Sequence, residues 1–220
     1  MKINEIETPA LILDKQTFEY NLKRMDQLLE GTTMKLRPHY KSNKCAEIAK
    51  LQIKRGAAGI TCAKLGEAED LAKAGIENIL IANQVVQPSK VKRVAELAKD
   101  HYIIICVDDK DNIKALSDAA VEAGSQIHVL VEYEVGMKRC GVDTYDEFIE
   151  LAELIDKSEG LIFEGIQAYG GHMAHEHSLE TRIAETNRIE NEVRELKALL
   201  EAKGLKVKEV GGGSTGTIEQ

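Results

Sequence analysis

Two hydrophobic periods alternate along this chain. Short apolar or β-branched runs have the length of buried strands: Met34–Arg37, Ala58–Cys62, Asn78–Ala82, Tyr102–Val107, Gln126–Glu132, Ile162–Ala168 and Lys206–Val210. Between them, segments rich in Ala, Glu, Lys and Leu carry apolar residues at every third or fourth position. Glu47–Lys54, Gly66–Ala74, Lys90–Lys99, Asn112–Ala123, Tyr145–Lys157 and Leu179–Ala202 are therefore predicted amphipathic helices. An earlier apolar run, Thr8–Leu13, precedes a further helix around Gln16–Leu29. Gly56, Gly75, Gly124 and Gly204 stand just past helix ends, where glycine commonly closes the last turn. No linker or low-complexity tract interrupts the pattern, so residues 1–220 are expected to form one cooperative domain.

Strand–helix–strand repetition means parallel strands with helical crossovers. An open doubly wound sheet and a (β/α)8 barrel both satisfy it, but no Gly-x-Gly-x-x-Gly follows the first strand, which speaks against a dinucleotide-binding sheet. The expected fold is an α/β, TIM-like barrel. Seven strands are countable in 220 residues, against eight strands in roughly 250 for a typical barrel. The chain is thus expected to fall about one βα unit short of closure.

Composition narrows the function classes. With 29 basic and 37 acidic side chains the net charge is −8, which argues against nucleic acid or an anionic membrane surface as partner. No apolar run approaches the ~20 residues of a membrane span. The first residues lack the ~7–15-residue apolar stretch of a secretory signal. Cys45, Cys62, Cys106 and Cys140 are widely spaced without a Cys-x-x-Cys pair, so no disulfide framework or zinc knuckle is indicated. The expected setting is cytoplasmic.

In a barrel, chemistry sits at the C-terminal ends of the strands, with phosphate often held by the loops after strands seven and eight. Gly211-Gly212-Gly213-Ser214-Thr215-Gly216-Thr217 follows the seventh run and offers backbone N–H groups and hydroxyls to an anion. It is not a Walker loop, because no Gly-Lys-Ser/Thr follows. The first strand ends in Arg37-Pro38-His39-Tyr40-Lys41; Pro38 marks that end and puts Lys41 on the catalytic rim, where a Schiff-base cofactor would need an amine. Most lysines are merely exposed, and only the position distinguishes this one. After strand five, glycines flank Arg139 in Glu132-Tyr133-Glu134-Val135-Gly136-Met137-Lys138-Arg139-Cys140-Gly141-Val142, so that a permanently charged, planar group can overhang the mouth. Strand six leads into Tyr169-Gly170-Gly171-His172-Met173-Ala174-His175-Glu176-His177. Its spacing is not that of a metalloprotease helix, so a hydrogen-bonding tyrosine and one general-base histidine are preferred over a metal site. His101 and His128 lie at or inside strands and read as structural.

Arg-Pro-His-x-Lys, Glu-x-x-x-Gly-x-x-Arg-Cys-Gly-Val, Gln-Ala-Tyr and Gly-Gly-Gly-Ser-Thr-Gly-Thr occur here in an order that resembles the alanine-racemase-fold (fold type III) pyridoxal-phosphate enzymes. The branch most like it is that of D-threonine aldolase, D-3-hydroxyaspartate aldolase and D-serine dehydratase, and the resemblance runs from Glu7 to Thr217. It implies the alanine racemase N-terminal barrel and pyridoxal 5'-phosphate as cofactor, bound covalently by Lys41. It implies that Arg139 contacts the cofactor's ring oxygen and that Tyr169 with Gly212, Gly213, Ser214, Thr215, Gly216 and Thr217 holds the phosphate. Asn83 matches a position near the cofactor, and His175 matches the histidine that acts on the substrate's β-hydroxyl. His172 has no counterpart.

Members also carry a C-terminal β-domain with a divalent-metal site, and a metal is expected only with that domain; no metal ligand is assigned among these residues. The resemblance implies cleavage of a β-hydroxy-D-amino acid to glycine and an aldehyde, and a homodimer for the full-length relatives. The alternatives are β-elimination of the D-serine dehydratase kind, racemisation, and non-catalytic carriage of the cofactor. Without the resemblance, a barrel binding a phosphorylated sugar remains.

Overall fold

The computed structural model describes residues 2–218, which divide into two compact units, one up to Lys35 and one from Leu36 onward. In the first unit, α1 (Lys15–Leu29) starts at Asp14, whose carboxylate accepts from Thr17 N–H at 2.7 Å. Thr8–Leu13, expected as a strand, forms none. Leu11, Ile12 and Leu13 are exposed, and no other backbone among the described residues offers this run the ladder of hydrogen bonds that defines a strand.

The second unit is a curled half-barrel of parallel strands in sequence order: β1 (Ile60–Cys62), β2 (Asn78–Ile81), β3 (Tyr102–Val107), β4 (Ile127–Glu132), β5 (Leu161–Tyr169) and β6 (Glu209–Gly213). Its helices are α2 (Ala46–Lys54), α3 (Leu65–Lys73), α4 (Pro88–Leu97), α5 (Lys110–Ala123), α6 (Tyr145–Lys157) and α7 (Leu179–Ala202). Local chemistry fixes their starts. Asp109, Thr144 and Ser178 each accept an N–H from the first turn that follows them, and Pro88 opens α4, where a missing N–H costs nothing. None of the helices among the described residues is long and apolar enough to cross a membrane.

The run Met34–Arg37 is not a regular strand. Pairing instead begins at Leu36, whose carbonyl accepts from Ala58 N–H at 2.9 Å; Pro38 O then accepts from Thr61 N–H at 2.8 Å, and Tyr40 N–H donates to Thr61 O at 2.7 Å. Pro38 has no N–H to contribute, so the ladder is broken into single links. The last strand is displaced as well: it runs Glu209–Gly213 rather than Lys206–Val210, so the glycines pair with β5, Gly212 with Ala168 and Gly213 with Tyr169.

Alternation along the strands separates two apolar layers. Ile103, Ile105, Val107, Val129 and Val131 face the helices and join Leu116, Phe148 and Leu196 in the main core. Leu80, Ile104, Cys106 and Leu130 form a second cluster inside the curl, with Ala82 against it. Polar residues extend that inner column at both ends. At the N-terminal end, Tyr102, His128 and Lys208 converge on one oxygen of Glu164, Tyr102 at 2.8 Å and Lys208 at 3.0 Å, while Tyr102 stacks on His128 with ring centroids 3.7 Å apart. Arg37 meets Glu209 at 2.8 Å and also hydrogen-bonds Asn78, linking the first extended segment to the last strand.

Candidate active site

The C-terminal rim of the half-barrel carries a continuous polar chain. It begins at the Lys41 turn, where Lys44 N–H donates to Tyr40 O at 2.9 Å and Lys41 N–H to His39 Nδ1 at 3.2 Å. Lys41 itself is exposed. Burial lowers the His39 pKa, and the nearby Lys41 charge lowers it further, so the imidazole beside this amine is held neutral. Glu67, buried at the start of α3, accepts from Lys44 Nζ at 2.7 Å and from Ala63 N–H at 2.9 Å. Burial would raise the Glu67 pKa, but those two donors, with the charges of Lys44 and Lys64, bring it below the usual range.

From Ala63 the chain passes to Asn83, whose amide donates to Ala63 O at 3.2 Å, and to Gln84, which donates to Glu132 at 2.7 Å. Glu132 ends β4 and is buried. Burial raises its pKa, and the Gln84 bond and the Arg139 charge offset that only in part, with Asp108 and Glu134 adding to the rise. Arg139 stands 3.7 Å from Glu132, and its guanidinium lies over the Tyr169 ring, 5.3 Å from the centroid.

The loop that carries Arg139 is tied at its base and within. Glu134 N–H donates to Val142 O and Val142 N–H to Glu132 O, each at 3.0 Å. Gly141 N–H donates to Asp108 at 2.9 Å, and the Glu134 carboxylate accepts from the amides of Gly136 and Arg139. The glycines that flank Arg139 in the sequence thus sit in a braced loop.

Tyr169, half-buried at the end of β5, pairs in register with Gly213. Beyond it the chain makes a 3-10 turn, Gly171–His175, packed against a second, Thr215–Thr217. A Cβ on Gly212 would fall 2.5 Å from Ala168 O and one on Gly216 2.8 Å from Met173 O, so both positions need bare backbone. In the Ser214–Thr217 turn, Gly216 N–H donates to Ser214 Oγ at 3.2 Å and Ser214 N–H to Thr217 Oγ1 at 3.0 Å. These bonds close the turn upon itself.

The structure therefore brings Arg139, Tyr169 and Gly212–Thr217 together, and links them along one rim to Asn83 and the Lys41 turn. His175 stands apart. It is exposed at the end of its turn. His172, left without a role by the sequence, pairs with Glu185 at 3.2 Å beside Arg188, which in turn donates to Val135 O at 2.7 Å. This ties the turn after β5 to α7 and to the Arg139 loop. Among the described residues no three His, Cys, Asp or Glu side chains converge as metal ligands would.

The sequence reading assigned no role to Glu67, Gln84 or Glu132, though a signal for two of them was present. Glu67 falls on the same helical face as the buried Ala68, Leu71 and Ala72, and Glu132 ends an otherwise apolar strand.

Residues 13–220 match the alanine racemase N-terminal domain, and the chain belongs to that family. The 3-hydroxy-D-aspartate aldolase of Paracoccus denitrificans (strain Pd 1222) is 39% identical over 99% of this chain and 57% of its own length. The D-threonine aldolase of an Arthrobacter species is 39% identical over 97% of this chain and 56% of its own. The crystal structure of D-threonine aldolase from Filomicrobium marinum superposes with a TM-score of 0.95 at 40% identity, covering 98% of this chain and 58% of that one. The chain thus spans less than three fifths of each of these relatives.

Proposed function

We propose that residues 1–220 are the cofactor-binding barrel of a pyridoxal-phosphate lyase. Its reaction would cleave a β-hydroxy-D-amino acid of the D-threonine or D-3-hydroxyaspartate type into glycine and an aldehyde. The observation that carries this reading is the junction of Arg139, Tyr169 and the glycine strand: a guanidinium stacked on a phenol whose own strand pairs with Gly213. The names of the aldolases matched over nearly the whole chain point to the same substrate class.

The residues fit the cofactor. Close packing at Gly212 and Gly216 admits bare backbone only, and a phosphate there would meet the Ser214 and Thr215 hydroxyls, while the Ser214 and Gly216 N–H groups and the Thr217 hydroxyl would exchange their bonds within the turn for bonds to it; none of these donors carries positive charge. Pyridoxal phosphate, when bound, supplies the electron sink for the charge left at Cα as a bond to it breaks. Lys41 would supply the exposed primary amine that holds the cofactor's aldehyde carbon, beside an imidazole whose pKa burial lowers. Arg139 would hold the ring oxygen through its planar fork of donors, with Tyr169 beneath the guanidinium. Asn83, fixed to Ala63 O, lines the rim between them. His175, exposed at the end of the turn after β5, would take the proton from the substrate's β-hydroxyl.

Reduction of the loaded chain with borohydride, followed by peptide mapping, tests the assignment. The pyridoxyl group is expected on Lys41, and an adduct on Lys35, Lys44 or Lys64 instead would defeat it. Incubation with D-threonine is expected to release glycine and acetaldehyde together. Retention of the cofactor without that release would favour the carrier alternative.

A further inference from the structure

We infer that Glu67 is the positioning residue for Lys41, fastening the turn that carries this lysine to the end of β1. The inference rests on the reading of Lys41 as the cofactor lysine. Besides its backbone link to β1, through Tyr40 N–H and Thr61 O, the turn is anchored by two side chains, both on α3. Tyr40 is buried and its hydroxyl donates to Asp70; Lys44 donates through Nζ to Glu67 at 2.7 Å. Asp70 and Glu67 are three residues apart and so lie on neighbouring turns of one helical face. Between the anchors, Lys41, Ser42 and Asn43 are all exposed. Within the turn Lys41 N–H donates to His39 Nδ1 at 3.2 Å and Cys45 N–H to Asn43 Oδ1 at 2.9 Å; the two clamps are the side-chain bonds that tie this turn to α3.

Lys44 also takes a left-handed backbone, φ 47°, which a residue with a Cβ adopts only when its surroundings hold it there. The Nζ–carboxylate pair restrains it from the side chain, and the Lys44 N–H bond to Tyr40 O restrains it from the backbone. Glu67 is suited to it. A buried carboxylate is tolerated only when paired, and its second oxygen is occupied by Ala63 N–H at 2.9 Å. One side chain therefore fixes the distance between the lysine turn and the β1 exit, whose Ala63 carbonyl also holds Asn83. A near-correct amine position matters because covalent capture depends steeply on the approach of the reacting atoms.

The ordinary alternative is that Glu67 merely caps α3 through Ala63 N–H. Four variants of the full chain separate the two: Glu67→Gln, Lys44→Met, Lys44→Arg and the double Glu67→Gln/Lys44→Met. Each is titrated with pyridoxal 5'-phosphate by absorbance, melted without cofactor, and mapped after borohydride reduction. Glu67→Gln and Lys44→Met are each expected to weaken cofactor binding about tenfold, the size of one lost charge-assisted bond. The double variant should be no weaker than either single one, and Lys44→Arg should bind nearly as the parent does. Lys44→Met leaves the Ala63 contact in place, so its melting midpoint should barely move while its affinity falls. Parental affinity in a folded Lys44→Met or Glu67→Gln chain, with the parent's adduct on Lys41, overturns the inference alone. An adduct on another lysine in the parent removes the cofactor reading, and the inference with it.

Discussion

Gly213 has room for a side chain but not the backbone for one. An added Cβ would meet nothing nearer than Thr217 Oγ1 at 3.4 Å, yet φ is 70°, in the left-handed region that a β-branched residue avoids. Thr217, by contrast, uses only its hydroxyl, accepting from Ser214 N–H and donating to Ser214 O. Gly213→Val is therefore expected to weaken pyridoxal-phosphate binding by about tenfold, the equivalent of the ~1–2 kcal/mol that left-handed backbone costs such a residue. Thr217→Ser should leave it nearly unchanged. Equal affinities in an absorbance titration would count against a phosphate cradle in this turn. His175 makes the sharper case at the same scale, because nothing in the fold depends on its exposed imidazole. His175→Ala is expected to keep the cofactor and lose ~10²–10⁴-fold in cleavage of D-threonine, the usual contribution of a positioned acid–base group. Full cleavage activity in that variant would exclude the histidine from the reaction.

Elements were unequally legible from the chain, and the reason is physical. Helices that bury one stripe keep a period that survives without knowledge of their partners, and α6 and α7 run over the residues the period indicates. Strands buried on both faces show only as apolar runs. β6 is made of glycine and is held by backbone pairing with β5, so its apolar signal stops at Val210 while the strand continues to Gly213. The first extended segment is cut short by Pro38. At the site, the motif residues were visible because the turns that carry them have unusual composition. The buried carboxylate Glu67 is paired with Lys44, which lies far earlier in the sequence, and Glu132 accepts from Gln84, also remote; no local pattern names those partners.

Gly165 shows how far one element depends on such a contact. At φ 145° it pairs with β6, and an added Cβ would lie 2.0 Å from Glu209 O, which is backbone and cannot turn aside. Gly165→Ala is expected to destabilise the chain by about 2–4 kcal/mol, combining strained backbone with forced separation of two strands. Urea unfolding measures it. A loss below ~0.5 kcal/mol, the ordinary range for a harmless surface change, would mean that β5 and β6 can part locally.

The curl of the molecule is held by side chains that reach across it. Glu164 on β5 collects Tyr102 from β3, His128 from β4 and Lys208 just before β6, while Arg37 and Glu209 join the two outer segments. These contacts lie at the end of the sheet opposite the candidate active site, so the charge that stabilises the curl is separate from the charge that does chemistry. Burial of Glu164 opposes its ionisation, but the bonds from His128, Tyr102 and Lys208 win and hold its pKa at about 2 against an ordinary 4.5. A carboxyl that is more acidic folded than unfolded stabilises the fold fully above pH 4.5, and that contribution drains away as the pH falls from 4.5 toward 2. The shift corresponds to on the order of 3 kcal/mol at neutral pH. Glu164→Gln should therefore unfold at lower urea concentration than the parent at pH 7, and the gap should narrow as both are titrated to pH 3. Other paired carboxylates, Glu185 among them, set a slope common to both chains, so the difference between the two curves isolates Glu164. Parallel curves across that interval would show that the curl draws nothing from this charge.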